Sequence, residues 1–77
     1  MNLMLRLIET LSELQDGKYH TFQLHPKDYV NDRWQGGTVI SVKKITNDRY
    51  KIGTLSVMTL LQAARFVRNQ IPPEYRS

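Results

Sequence analysis

The stretch TVISVKKITNDRYKIGTL, residues 38–55, decides the fold, because it contains two strand-like runs separated by turn residues. Apolar and polar residues alternate in both runs, which is typical of half-buried β-strands. The Asn47-Asp48 pair lies between the runs, and both residue types are common in turns. We therefore predict an antiparallel hairpin in this segment.

The register of this hairpin follows from the pairing that buries one coherent face. If residues 46–48 form a three-residue loop, Val42 lies opposite Ile52, and Ile40 lies opposite Thr54. A two-residue loop would mix basic and apolar side chains on both faces. The three-residue loop separates two sets of side chains. The apolar face is continued by Lys44 and Tyr50, and the opposite face carries Ser41, Lys43, Arg49 and Lys51.

Helical periodicity is found before the hairpin and after it. The first apolar stripe consists of Met4, Leu7, Ile8, Leu11 and Leu14, and Gly17 is the expected left-handed residue at the end of that helix. For the last helix, Ser56 is the expected N-cap, with Leu55 and Leu60 as a hydrophobic staple. Its predicted apolar face consists of Val57, Leu60, Leu61, Ala64, Val67 and Ile71, and Pro72 ends it.

A further strand is predicted over residues 18–24, where His20, Phe22 and Leu24 share one face. Residues 26–37 are interpreted either as a long loop or as a loop with one helical turn. The complete order is therefore α-β-β-β-α. We predict one α+β domain over residues 1–77, a three-stranded antiparallel sheet with the N-terminal and C-terminal helices on one of its faces.

Composition limits the function. The chain contains no cysteine, which excludes disulfides and thiolate metal sites, and no apolar run is long enough to span a membrane. We expect a cytoplasmic protein. The net charge of +4 is uneven, because residues 1–16 carry −2 and residues 17–77 carry +6. A basic body favours nucleic acid or an acidic protein surface as the partner.

No pattern of catalytic residues is present. His20 and His25 are interpreted as structural, and Asp28 and Asp32 as turn residues. The glycines at 36–37 precede a strand rather than the helix that a phosphate-binding loop requires. We therefore expect no enzymatic activity, no cofactor and no metal.

The candidate binding residues form three groups. The hairpin contributes Lys43, Lys44, Arg49 and Lys51, and the last helix contributes Arg65 and Arg68. Arg33 and Trp34 lie together in the long loop, and Trp and Arg are the residue types most enriched in binding hot spots. Tyr19 and Tyr29 are weaker candidates of the same kind.

Two known layouts resemble this chain. The α-β-β-β-α order is similar to that of double-stranded-RNA-binding domains, whose last helix begins with lysines. Here that helix begins SVMTLLQAA, residues 56–64, without lysine. The segment RYKIGTLSVMTLLQAARFV, residues 49–67, looks like the strand, turn and helix of plant ethylene-response factors and phage integrase arm-binding domains. Both resemblances imply nucleic-acid binding, and neither assigns a family.

Two functional hypotheses remain open. The favoured one is a small protein-binding regulator or inhibitor of phage or plasmid type, which docks onto a larger nucleic-acid-handling complex through the basic hairpin and the loop Trp34. The alternative is a nucleic-acid-binding module that uses the same hairpin and sheet face. Because a chain of this length has a small core, association into a homodimer would also help to stabilise it.

Overall fold

The computed structural model describes residues 2–23 and 39–71. Their elements are α1 (Leu3–Ser12), β1 (Tyr19–Gln23), β2 (Val39–Thr46), β3 (Arg49–Ile52) and α2 (Leu60–Gln70). The predicted α-β-β-β-α order is thereby confirmed. The predictions for the loop over residues 26–37, including those for His25, Arg33 and Trp34, lie outside the described residues. Within the described ranges, neither helix is long and apolar enough to cross a membrane.

Helix α1 is capped by Asn2, whose side-chain oxygen accepts a hydrogen bond of 2.8 Å from the Met4 amide. This cap satisfies one of the amides that the first helical turn leaves unpaired. The prediction that Gly17 ends the helix is wrong, because α1 ends at Ser12 and Glu13 is its C-cap. Gly17 does adopt a left-handed φ of +81°, and its amide donates to the Lys44 carbonyl of β2 at 2.6 Å. It turns the chain from the helix into the sheet.

The three strands form one antiparallel sheet in the order β1-β2-β3. Val42 lies opposite Ile52, as the sequence pattern predicts. The predicted three-residue loop is wrong, since Thr46 pairs with Arg49 and leaves a two-residue turn. A β-bulge between Lys44 and Thr46 absorbs the additional residue, so that the apolar register is kept despite the shorter turn.

The predicted pairing of Ile40 with Thr54 is also wrong. β3 ends at Ile52, and Gly53 then turns the chain with a φ of +55°. Ile40 pairs instead with Phe22 of β1, on the other side of β2.

Helix α2 begins later than predicted, and Ser56 is not its cap. Thr59 and Gln62 form a reciprocal capping box. The reason is a β-bridge between Met58 and Tyr50. The Tyr50 amide donates to the Met58 carbonyl at 2.8 Å, and the Met58 amide donates to the Tyr50 carbonyl at 2.9 Å, so the chain stays extended as far as Met58. In addition, the Asp48 carboxylate accepts a 2.8 Å hydrogen bond from the Leu60 amide. The hairpin turn is thus tied to the start of the helix.

The buried face of α2 also differs from the predicted one. Ala63, Ala64 and Val67 are fully buried, whereas Leu61 is 53% exposed and Val57 is 47% exposed. The prediction that Val57 and Leu61 belong to the core is therefore wrong.

Among the described residues, one hydrophobic core holds both helices against the same face of the sheet. The buried side chains come from α1, β2, β3 and α2, and they are Leu7, Leu11, Ile40, Val42, Tyr50, Ile52, Ala63, Ala64 and Val67. The Tyr50 hydroxyl donates a buried hydrogen bond of 3.0 Å to the Leu11 carbonyl and so links β3 to α1. Neither α1 nor α2 therefore covers the other face of the sheet.

We expect Tyr50→Phe to lower the free energy of unfolding by about 0.5–1.5 kcal/mol at neutral pH, because it removes one buried hydrogen bond. Burial raises the pKa of the Tyr50 hydroxyl above its ordinary value of 10.0, and the negative charges of Asp48 and Asp16 raise it further. The folded state therefore holds this proton more tightly than the unfolded state.

The Tyr50 contribution is fully present below the unfolded pKa and is lost as the pH rises through the folded pKa. Because the loss begins near the unfolded pKa, unfolding titrations up to about pH 11 should show a steeper loss of stability for the wild type than for Tyr50→Phe above about pH 10. Parallel pH profiles for the two proteins would contradict this linkage.

Candidate binding surface on the sheet face opposite the helices

The face of the sheet away from the helices is formed by alternate residues of the three strands. We define the sheet face by Tyr19 and Thr21 of β1, Val39, Ser41 and Lys43 of β2, and Arg49 and Lys51 of β3. All of these side chains are exposed except Lys43, which is half-buried. The sheet face contains three bases and no acid, so its charge is uniformly positive.

One cross-strand row forms the centre of the sheet face. Tyr19 lies opposite Lys43, and Lys43 lies opposite Lys51. The Lys43 ammonium lies 5.7 Å from the centroid of the Tyr19 ring, which is within the range of a cation–π interaction. Like charges directly opposite each other on neighbouring strands are destabilising, so an anion bound between the two lysines would relieve a repulsion.

A second row beside the first one consists of neutral hydroxyl groups. Thr21 lies opposite Ser41, and their side-chain oxygens are 2.9 Å apart, within hydrogen-bonding distance. Each hydroxyl can both donate and accept. The row therefore places hydrogen-bond donors and acceptors beside the basic side chains.

Of the four hairpin bases named as candidates, the structure brings three together. Lys43, Arg49 and Lys51 belong to the sheet face. Lys44 points to the side of the helices, where its ammonium donates to the Ser12 carbonyl at 3.3 Å, at the last residue of α1. A cation at this position is favourable because a helix C-terminus carries partial negative charge. The position of Lys44 therefore has a structural reason.

The two candidate arginines of α2 lie in the helical layer and not on the sheet face. Arg65 is exposed, Arg68 is half-buried, and both line a shallow cavity together with Asn2 and Met4 of the α1 N-terminus. The predicted Arg33 and Trp34 are outside the described residues. The three bases of the sheet face and the two arginines of α2 are therefore on opposite sides of the sheet.

The sheet face includes two features that sequence reasoning undervalued or missed. Tyr19, a weaker candidate, is 63% exposed and lies within the basic row. The hydroxyl pair of Thr21 and Ser41 was not predicted at all. Strand alternation places each of these residues on a face, but only the register of β1 on β2 brings them beside Lys43.

Among the described residues, the one histidine is His20. His20 is half-buried, and its ring centroid lies 4.5 Å from that of Phe22, as expected for a packed side chain. Within residues 2–23 and 39–71, no group of three histidine or acidic side chains could hold a metal ion. The chain matches no protein-family model, no curated protein and no solved structure.

Proposed function

We propose that the chain is a small non-enzymatic binding protein whose docking surface is the sheet face and whose partner is an anionic macromolecule. The observation that carries this proposal is the row of Tyr19, Lys43 and Lys51, with Arg49 on the same face. Three exposed or half-exposed bases without an acid among them attract anions and accelerate encounter with them.

The fold itself does not need these three bases. The core is closed by Leu11, Val42, Tyr50 and other buried side chains on the opposite face. Exposed charges contribute little to stability. Lys43 and Lys51 lie opposite each other on β2 and β3, and the repulsion between them weakens the pairing of these strands. A binding role gives a reason for this arrangement that folding does not.

Such a surface would suit a regulator of the kind that phages and plasmids encode as a short, separate chain. A regulator needs affinity and specificity but no catalytic group. In the cytoplasm, both classes of anionic partner are present, namely the acidic surface of a nucleic-acid-handling protein and nucleic acid itself.

The test is a nuclear magnetic resonance titration of the whole chain with three anionic probes. They are a single-stranded oligonucleotide, a duplex of the same length and polyglutamate. We expect the amide signals of Tyr19, Thr21, Ser41, Lys43 and Lys51 to shift with at least one probe. The amide signals of the exposed α2 residues Leu61, Arg65 and Asn69 serve as internal controls and should not shift. Shifts concentrated on α2, or no binding of any probe, would overturn the proposal.

A further inference from the structure

The basic row of the sheet face begins with the aromatic ring of Tyr19, and attraction between the basic side chains and an anion does not itself require the anion to contact this ring. Tyr19 is the most exposed of the large hydrophobic side chains on the described strands and helices, at 63%. A ring in this position loses contact with water when a flat partner covers it. Every nucleic-acid base has such a flat face.

We infer that the ligand of the sheet face is single-stranded nucleic acid, with one base stacked on Tyr19 and the adjoining phosphates held by Lys43 and Lys51. This inference rests on the proposed function, since it names the partner of the same surface. Neighbouring strands are about 4.8 Å apart, so the Tyr19 position is separated from the Lys51 position by roughly 10 Å across β2. That span would accommodate a base and the backbone beside it.

The hydroxyl row extends the same recognition. Thr21 and Ser41 lie two residues from Tyr19 and Lys43 on their respective strands and point to the same face. Their oxygens, 2.9 Å apart, bind each other in the free protein. They are therefore able to exchange this bond for hydrogen bonds to the edge or sugar of an adjacent nucleotide.

The alternatives use fewer of these features. In a duplex the bases are stacked on one another and paired, so Tyr19 would have no base face to contact. An acidic protein surface would bind the ammonium groups of Lys43 and Lys51 but would give no specific role to the exposed ring of Tyr19. Single strands with unstacked bases use the charges, the ring and the hydroxyls together.

The test separates base stacking from phosphate attraction. Affinity is measured for a short oligothymidine strand and for an abasic strand with the same number of phosphates. Base–aromatic stacking is worth about 5- to 150-fold in affinity per base, so the wild type should prefer the oligothymidine by a factor in that range. Tyr19→Leu should bind both strands equally, whereas Tyr19→Phe keeps the ring and should keep the preference. Circular dichroism confirms that both variants fold.

The possible outcomes distinguish this inference from the proposed function. Equal binding of both strands by the wild type would overturn base stacking and leave anion binding intact. Tighter binding of a duplex of the same length, or of polyglutamate, would also overturn the inference and reassign the partner. If neither the wild type nor the variants bind any of these polyanions, the proposed function itself fails. A preference that is lost in Tyr19→Leu and kept in Tyr19→Phe supports the inference.

Discussion

Replacing Leu11 by alanine is expected to remove about 2–5 kcal/mol of the free energy of unfolding, while the same change at Leu61 should leave it nearly unchanged. Leu11 has no exposed surface and lies in the core that joins α1 to the sheet. Its truncation removes apolar contacts and leaves a cavity that the surrounding side chains fill only in part. A small domain has a total stability of about 5–8 kcal/mol, so the variant is expected to be close to unfolding.

Leu61→Ala is the matched control because it deletes the same atoms from a helix. Leu61 is 53% exposed, so its truncation exposes little new surface, and alanine has a slightly higher helix propensity than leucine. Denaturant unfolding followed by circular dichroism measures both variants. A larger loss of stability at Leu61 than at Leu11 would mean that α2 is rotated relative to the packing described above.

The second large effect is on binding. We expect the combined change of Lys43, Arg49 and Lys51 to alanine to weaken binding of a single-stranded oligonucleotide by roughly 100-fold or more at about 50 mM salt. Each neutralised phosphate contributes about −0.7 to the slope of log affinity against log salt, so three contacts give a slope of roughly −2. At about 1 M salt, charges are screened within ~3 Å, so the three bases contribute little to the affinity. With the slope above, lowering the salt to about 50 mM raises the wild-type affinity by more than 100-fold.

The control for this variant has the same net charge. Changing Arg6, Arg65 and Arg68 to alanine also removes three positive charges, which lowers the net charge from +4 to +1. All three arginines lie on the helices and none on the sheet face. We expect this variant to keep most of its affinity. Equal losses in the two variants would mean that overall charge, and not the sheet face, attracts the ligand.

The order of elements and the central register of the hairpin could be predicted from the sequence, because period-two and period-3.6 patterns are strong there. Val42 opposite Ile52 is the pairing that buries one coherent face. The turn itself could not be predicted in the same way. A bulge between Lys44 and Thr46 compensates for a shorter loop, and side-chain alternation does not distinguish a three-residue loop from a bulge followed by a tight turn.

The start of α2 depended on a long-range contact. Ser56 and Thr59 are both acceptable caps by local preference. The bridge between Met58 and Tyr50 and the hydrogen bond from the Leu60 amide to Asp48 decide in favour of Thr59. Val57 therefore precedes α2. Leu61 was wrongly predicted to be buried because Ala63 and Ala64, together with Val67, face the core instead.

Only the part of the candidate site that lies on the β2–β3 hairpin could be predicted from the sequence. Alternation along β2 and β3 brings Lys43, Arg49 and Lys51 to one face, as expected. The contribution of Tyr19 and Thr21 depends on how β1 pairs with β2, and residues 24–38 separate these strands in the chain. Long-range registers of this kind are set by the tertiary packing of both strands and not by a local pattern.

The measurement that tests the central claim most directly is the salt dependence of oligonucleotide affinity for the wild type and for the variant with alanine at Lys43, Arg49 and Lys51. If the sheet face holds about three phosphates of a single strand, the wild-type slope of log affinity against log salt should be steeper than that of the variant by roughly two. Equal affinity and equal slopes for the two proteins would show that these three bases are solvated side chains without a part in binding.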